Sequence, residues 1–182
     1  PQAGYRRRLG YRRGLKKNMS EKPSLLFLVV LASIGTAILS PLTVNGFPVI
    51  VLIIPIALIA TYLYGLEAGI TVGLSTSVLS GLLVQSINGW EIIIYVLASG
   101  ITVAALETFY PQNTQLWPLL LYAVLGTLLF ELLYDIYLGQ NLLLRSENFL
   151  GTNPASGIRI LANVFITALL FYYWENKKSV QQ

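Results

Sequence analysis

The sequence predicts an all-α integral membrane protein, a bundle of six transmembrane helices. Of the 182 residues, 55% are hydrophobic and 11% are charged, and the mean hydropathy is +0.66. A soluble domain carries about 25% charged residues, so this deficit places the chain among membrane proteins. The apolar residues are gathered in runs of about 20, the length that crosses a bilayer, and short polar links separate the runs. One bundle accounts for the whole chain, and no second domain is expected.

Each helix is predicted from one apolar run and the turn residues that bound it. Asn45 and Gly46 form the turn between the first two runs, and Pro48 fits the first turn of the second helix. Pro55 would then lie in the middle of that helix and bend it. The six spans are expected at 24–44, 47–64, 66–87, 90–110, 116–138 and 155–174.

Basic residues at both ends orient the predicted bundle. Eight of the twelve Lys and Arg residues lie in the first 22 positions, and two more lysines follow the last span. Lys and Arg favour the cytoplasmic side of a membrane, and six crossings allow both termini to be cytoplasmic. The loop at 139–154 would then lie outside. The predicted organisation is a basic cytoplasmic arm at 1–22, a six-helix transmembrane domain at 23–176 and a short cytoplasmic tail at 177–182.

Two residue types that the chain lacks narrow its function. There is no cysteine and no histidine, which removes thiol chemistry, the commonest metal ligand and the usual neutral-pH proton carrier. We therefore expect a protein that is not an enzyme, with no catalytic residues, no metal site and no cofactor.

The basic arm has a simpler partner than nucleic acid. A polybasic segment beside a membrane helix binds anionic lipid headgroups, so anionic lipid is the expected partner of the arm and no nucleic-acid partner is expected. Residues 1–18 precede the only methionine, Met19, and no further function is assigned to them.

A stripe of small residues marks one face of the third predicted helix. Its members recur at every fourth position and are Gly65, Gly69, Gly73, Ser77 and Gly81. Small residues on one stripe let another helix approach closely, which drives helix association within lipid. The stripe is expected to pack against the chain's own helices, and the alternative is a partner's helix.

Two carboxylates lie in the otherwise apolar fifth span. Glu131 and Asp135 are four residues apart and share one helix face. In the predicted topology Arg159 enters the sixth helix at a similar depth, and Asn163 lies one turn below it. A charge in lipid is costly unless it is paired or hydrated, so one of the two acids should face Arg159 inside the bundle. These four residues either fix helix 5 against helix 6 or line an outward cavity that receives a ligand or a partner's residue.

The pattern of several segments resembles the MreD family of rod-shape-determining membrane proteins. The segments are "GFPVIVLIIPIALIATYLYGLEAGITVGLSTSVLSGLL", "NGWEIIIYVLASG", "GTLLFELLYDIYLG" and "RILANVFITALLFYYWENKK". The resemblance extends over about 24–178 and implies a multi-pass protein of the bacterial inner (plasma) membrane. It implies a non-enzymatic scaffold of the cell-elongation (rod) complex, which helps to organise peptidoglycan synthesis and cell shape. The implied partner is the membrane-anchored protein MreC, and through it MreB and RodA with its transpeptidase.

A second resemblance is to the substrate-binding S component of energy-coupling-factor vitamin transporters. Size, topology and the segment "LYGLEAGITVG" are similar. S components dock through an Ala-x-x-x-Ala pair on helix 1, where this chain offers Ala32/Thr36 and Ser33/Ala37. The two families share a fold, so an S-component-like bundle is expected from either resemblance. The S-component alternative implies a small-molecule ligand, and a third alternative is an accessory subunit of another membrane complex.

Overall fold

A computed structural model describes residues 23–44, 47–48, 50–84, 89–109, 115–137 and 154–179, and this part of the chain contains six helices. The predicted all-helical class is confirmed for these residues, apart from one two-stranded hairpin. The helices are α1 (Leu25–Leu39), α2 (Ile53–Tyr64), α3 (Leu66–Leu83), α4 (Gly89–Phe109), α5 (Leu116–Tyr137) and α6 (Pro154–Ser179). The strands are β1 (Thr43–Val44) and β2 (Phe47–Pro48), which pair antiparallel.

α2 occupies the centre of the bundle. It packs against each of the other five described helices, and ten of its twelve residues are buried. At about 1.5 Å rise per residue the helix is about 18 Å long, well short of the roughly 30 Å hydrocarbon core of a bilayer. α2 therefore fills only part of the depth of the bundle.

The predicted boundaries of the first two helices are wrong. α1 ends at Leu39 rather than at 44. Pro48 does not begin a helix, because it lies in β2 opposite Thr43. Pro55 is the third residue of α2 rather than a mid-helix kink, and there its missing N–H is one that would have no partner within the helix anyway. A turn of helix was thus predicted for a segment that forms a hairpin.

Within the described ranges, four helices are long and apolar enough to cross a membrane, namely α3, α4, α5 and α6, while α1 and α2 are shorter apolar helices. Large apolar side chains are exposed around the bundle, among them Leu26, Leu82 and Leu161, each at least 70% exposed. An apolar exterior of this extent is expected of a protein surrounded by lipid. α6 continues to Ser179, so helix extends into the predicted tail at 177–182.

Glycines bring α3 close to its neighbours. Gly65 is not part of the helix: it forms the one-residue turn between α2 and α3 with φ of +93°, a conformation that glycine adopts without strain. Gly69 and Gly73 are buried, and a Cβ on Gly73 would lie 2.8 Å from Ser99 Oγ of α4. Ser77 is also buried and donates a hydrogen bond to the Gly73 carbonyl at 2.7 Å, whereas Gly81 is half-buried. The central members of the stripe therefore pack within the chain, as expected.

We expect Gly69→Ala to destabilise the bundle by about 1–3 kcal/mol, the usual effect of overpacking. The added methyl group would overlap Thr61 Oγ1 and lie 2.8 Å from Val103 Cγ1 and 3.1 Å from the Ala57 carbonyl oxygen, so the backbone must move. The measurement is the free energy of unfolding of the purified protein in mild detergent. Gly100→Ala is the matched control, because a Cβ there meets nothing within 4 Å. Equal effects of the two substitutions would contradict close packing at Gly69.

Candidate functional site

The polar residues of α5 and α6 meet in an antiparallel pair of helices. Glu131 of α5 accepts a charge-assisted hydrogen bond from Arg159 Nη1 of α6, and the two side chains form an ion pair. Only 6% of the Arg159 side chain and 15% of the Glu131 side chain are exposed. The predicted pairing of one acid with Arg159 is therefore confirmed, and the acid is Glu131. Each charge removes most of the cost of burying the other.

Neighbouring side chains complete the surroundings of the ion pair. The guanidinium carbon of Arg159 lies 5.2 Å from the centroid of the Phe130 ring, a distance at which the ring attracts a cation. Tyr95 of α4 stacks on the other side of the site with its ring centroid 4.2 Å from that of Phe130. Ser156, at the start of α6, is hydrogen-bonded to the Glu131 carboxylate. The pair is thus held by α5 and α6, and Tyr95 of α4 packs against the Phe130 ring beside it.

Asn163 forms a second polar contact one turn along α6. Its Nδ2 donates a hydrogen bond to Thr127 Oγ1 of α5 at 2.7 Å, and Asn163 is 1% exposed. The predicted extension of the polar face from Arg159 to Asn163 is confirmed. Glu131 and Thr127 are one turn apart, as are Arg159 and Asn163, so two polar contacts fix the register of the two helices.

Asp135 lies one turn beyond Glu131, in the last turn of α5. It is half-buried, and its separation from Glu131 along the helix is about 6 Å. The structure thus brings Glu131, Arg159 and Asn163 together and leaves Asp135 at the rim of the same face. Whether this face receives a ligand or a partner remains a prediction. The predicted outer loop at 139–154 lies outside the described residues, except that Pro154 begins α6.

A side-chain hydrogen bond that joins α4 to α5 was not predicted from the sequence. The Tyr134 hydroxyl donates a hydrogen bond to Glu91 Oε1 at 3.0 Å, and Glu91 lies in the first turn of α4. Nearby, the Trp90 and Tyr137 rings stack with centroids 6.1 Å apart. The spacing of Phe130, Tyr134 and Tyr137 places three aromatic rings on one face of α5. This pattern could have indicated that the face packs against a neighbouring helix.

The side chains of the site provide hydrogen-bonding groups and charges. Among the described residues, no group of three or more His, Cys, Asp or Glu side chains is placed to hold a metal ion. The positive charge of Arg159 is opposed by Glu131, and Asp135 and Glu91 add negative charge near the same end of the bundle. Such an arrangement suits the recognition of a polar or cationic group on a partner.

Comparisons with known proteins give no relative. No family model matches the chain, and no curated protein or solved structure matches it.

Proposed function

We propose that this chain is an MreD-like, non-enzymatic scaffold of the bacterial plasma membrane. In this proposal all six helices contribute to crossings, and both termini are cytoplasmic. The four long apolar helices support a multi-pass arrangement, and the basic residues at both ends support the orientation. α1 and α2 are short, but irregular backbone is tolerated at membrane depth where protein surrounds it. The segment between them is supported by a hydrogen bond from Leu52 N to Thr36 Oγ1.

The ion pair of Glu131 and Arg159 carries the proposal. It ties the end of α5 to the start of α6, and these ends flank the loop at 139–154. A rigid pair of helix ends that bears Asp135 at its rim is suited to present a fixed surface to another membrane protein. We assign this face to a membrane-anchored MreC-like protein, through which the scaffold would connect to MreB and to RodA with its transpeptidase.

The packing of α1 argues against the S-component alternative. Docking through helix 1 requires small residues on the outer face of the bundle. Ala32, Ser33 and Thr36 are instead buried, at 1% exposure or less, and α1 packs them toward α2 and α3. They are therefore already used inside the chain, which favours the scaffold.

Gentle extraction from native membranes tests the proposal. We expect the tagged chain to co-elute with a membrane-anchored MreC-type protein and without a stoichiometric small molecule. Asp135→Asn should lower the yield of that partner, because it removes a charge from the proposed face. The matched control is Glu107→Gln, near the C-terminal end of α4 and away from the proposed face. This substitution should leave the yield of the partner unchanged. Co-elution with ATPase subunits, or a stoichiometric vitamin, would refute the scaffold.

A further inference from the structure

Polar side chains of α5 and α6 lie level with the first turn of α2. A Cβ on Gly126 would lie 3.1 Å from Ile54 Cγ2, so the start of α2 is at the depth of the middle of α5. Thr127, the next residue of α5, accepts the hydrogen bond from Asn163. α2 therefore begins beside a buried contact between a hydroxyl and an amide, about halfway through the bundle.

The remaining helices bring hydroxyl groups to the same depth. Thr36 of α1 accepts the hydrogen bond from Leu52 N, directly before α2. Thr102 of α4 would lie 2.7 Å, through Oγ1, from a Cβ on Gly126. On α3, a Cβ on Gly73 would lie 3.5 Å from the Ala57 Cβ, and the antiparallel course of α2 and α3 places Thr76 near the first turn of α2. We name this set the polar layer, and its members are Thr36, Thr76, Thr102, Thr127 and Asn163.

Several hydrogen-bonding groups of this region have no partner in the described part of the protein. Three buried side-chain atoms are unpaired there, namely Thr76 Oγ1, Ser80 Oγ and Asn163 Oδ1. Ser80 follows Thr76 by one turn of α3. At the start of α2, Leu52 N is bonded to Thr36 and Pro55 has no N–H, so the amides of Ile53 and Ile54 are the ones that lack a partner within the helix. Native proteins rarely leave buried polar groups unpaired, so the coincidence of these groups requires an occupant.

The unpaired oxygen of Asn163 lies at the same depth as the start of α2, because Asn163 bonds Thr127, which follows Gly126, and Gly126 lies beside Ile54. Asn163 Nδ2 is turned to Thr127 on α5. α6 packs chiefly against α5 and α2 among the described helices, and Asn163 is almost fully buried. Since Nδ2 is used by α5, Oδ1 is the Asn163 atom left for an occupant of this layer, and the start of α2 adds partial positive charge there.

We propose that the polar layer binds a cluster of internal water molecules, or an equally small uncharged molecule with the same O–H groups, at mid-depth in the bundle. An O–H group donates to Asn163 Oδ1 and accepts from the amides of α2, so it satisfies both kinds of unpaired group. Buried water of this kind makes about three hydrogen bonds and is part of the structure. An uncharged occupant is required, since the nearest buried charges, Glu131 and Arg159, already pair with each other.

Radiolytic labelling tests this proposal on the intact chain in lipid nanodiscs. An X-ray pulse converts bound water to hydroxyl radicals, which modify the side chains next to it. We expect several-fold more modification at Ile53 and Ile54, at the polar layer, than at Leu58 and Ile59, further along the same helix. All four are buried, with exposures of 4% or less, so bulk solvent does not explain a difference.

Two substitutions identify the groups that hold the occupant. Asn163→Leu and Thr76→Val each remove an unpaired polar atom, and each should reduce the modification of Ile53 and Ile54 severalfold. Thr61→Val is the matched control, because Thr61 lies outside the polar layer and its buried hydroxyl already donates to the Ala57 carbonyl at 2.8 Å, so this substitution should leave the labelling unchanged. Thr76→Val keeps the test valid if Asn163→Leu does not fold.

Native mass spectrometry distinguishes the two sources of the O–H groups. Labelling without an added mass supports water, and an added mass that is lost in Asn163→Leu supports a small organic molecule in the same site. Equal labelling along α2 together with no added mass would overturn the proposal.

Discussion

Arg159→Leu should lower the free energy of unfolding by about 3–5 kcal/mol, the effect of removing one partner of a buried ion pair. The substitution leaves the Glu131 carboxylate with only 15% of its side chain exposed and no opposing guanidinium. It also removes the cation from the face of Phe130. The measurement is reversible unfolding of the purified protein in mild detergent.

The double variant Glu131→Leu/Arg159→Leu distinguishes the loss of the ion pair from the effect of leaving one buried charge without its partner. Replacing both partners of a buried pair by apolar residues is often neutral, so the double variant should recover most of the stability that Arg159→Leu loses. Glu131→Leu alone should destabilise, because it leaves Arg159 buried at 5% exposure. Wild-type stability of the single Arg159→Leu variant would show that the pair does not hold α5 against α6.

Leu58→Ala should cost about 2–5 kcal/mol, the range for a large cavity in a packed core. Leu58 is fully buried in α2, and α2 contacts all five of the other described helices, so no single neighbour can move to fill the space. The same unfolding measurement applies. Leu82→Ala is the matched control, since Leu82 is 75% exposed on α3, and its substitution should change stability by less than about 0.5 kcal/mol. Similar costs for both would contradict a central position of α2.

The pairing of a carboxylate with Arg159 was predictable from the sequence. It depends only on the depth of each residue along its predicted span and on the free-energy cost of an isolated charge in lipid. Counting residues along two antiparallel spans placed Glu131 and Arg159 at similar depths, and the cost of an isolated charge in lipid required them to meet. The same count could not choose between Glu131 and Asp135, since one turn of helix separates them. That choice follows from the packing of α5 against α6, which composition does not reveal.

The start of α2 was not predictable by the same means. A continuous apolar run is compatible with a helix or with buried extended chain, so its residue pattern does not indicate that Pro48 lies in a strand and that α2 begins only at Ile53. Pro48 and Pro55 both fit the first turn of a helix, and the first of the two was chosen wrongly. The polar layer escaped notice for this reason, because it is defined by the depth at which α2 begins. The Tyr134–Glu91 contact was missed because a tyrosine near a span end also fits a membrane interface.

The order in which the chain is made bears on the ion pair between α5 and α6. A ribosome delivers the helices from the N-terminus onward, so Glu131 is synthesised before Arg159, and Thr127 before Asn163. The carboxylate must remain hydrated or protonated until the last helix arrives. Tyr62 of α2 also gains a contact only when α6 is present, because the centroid of its ring lies 5.2 Å from that of the Phe171 ring. Assembly therefore includes a capture step, in which Arg159 of α6 neutralises the carboxylate that α5 has already brought into the bundle.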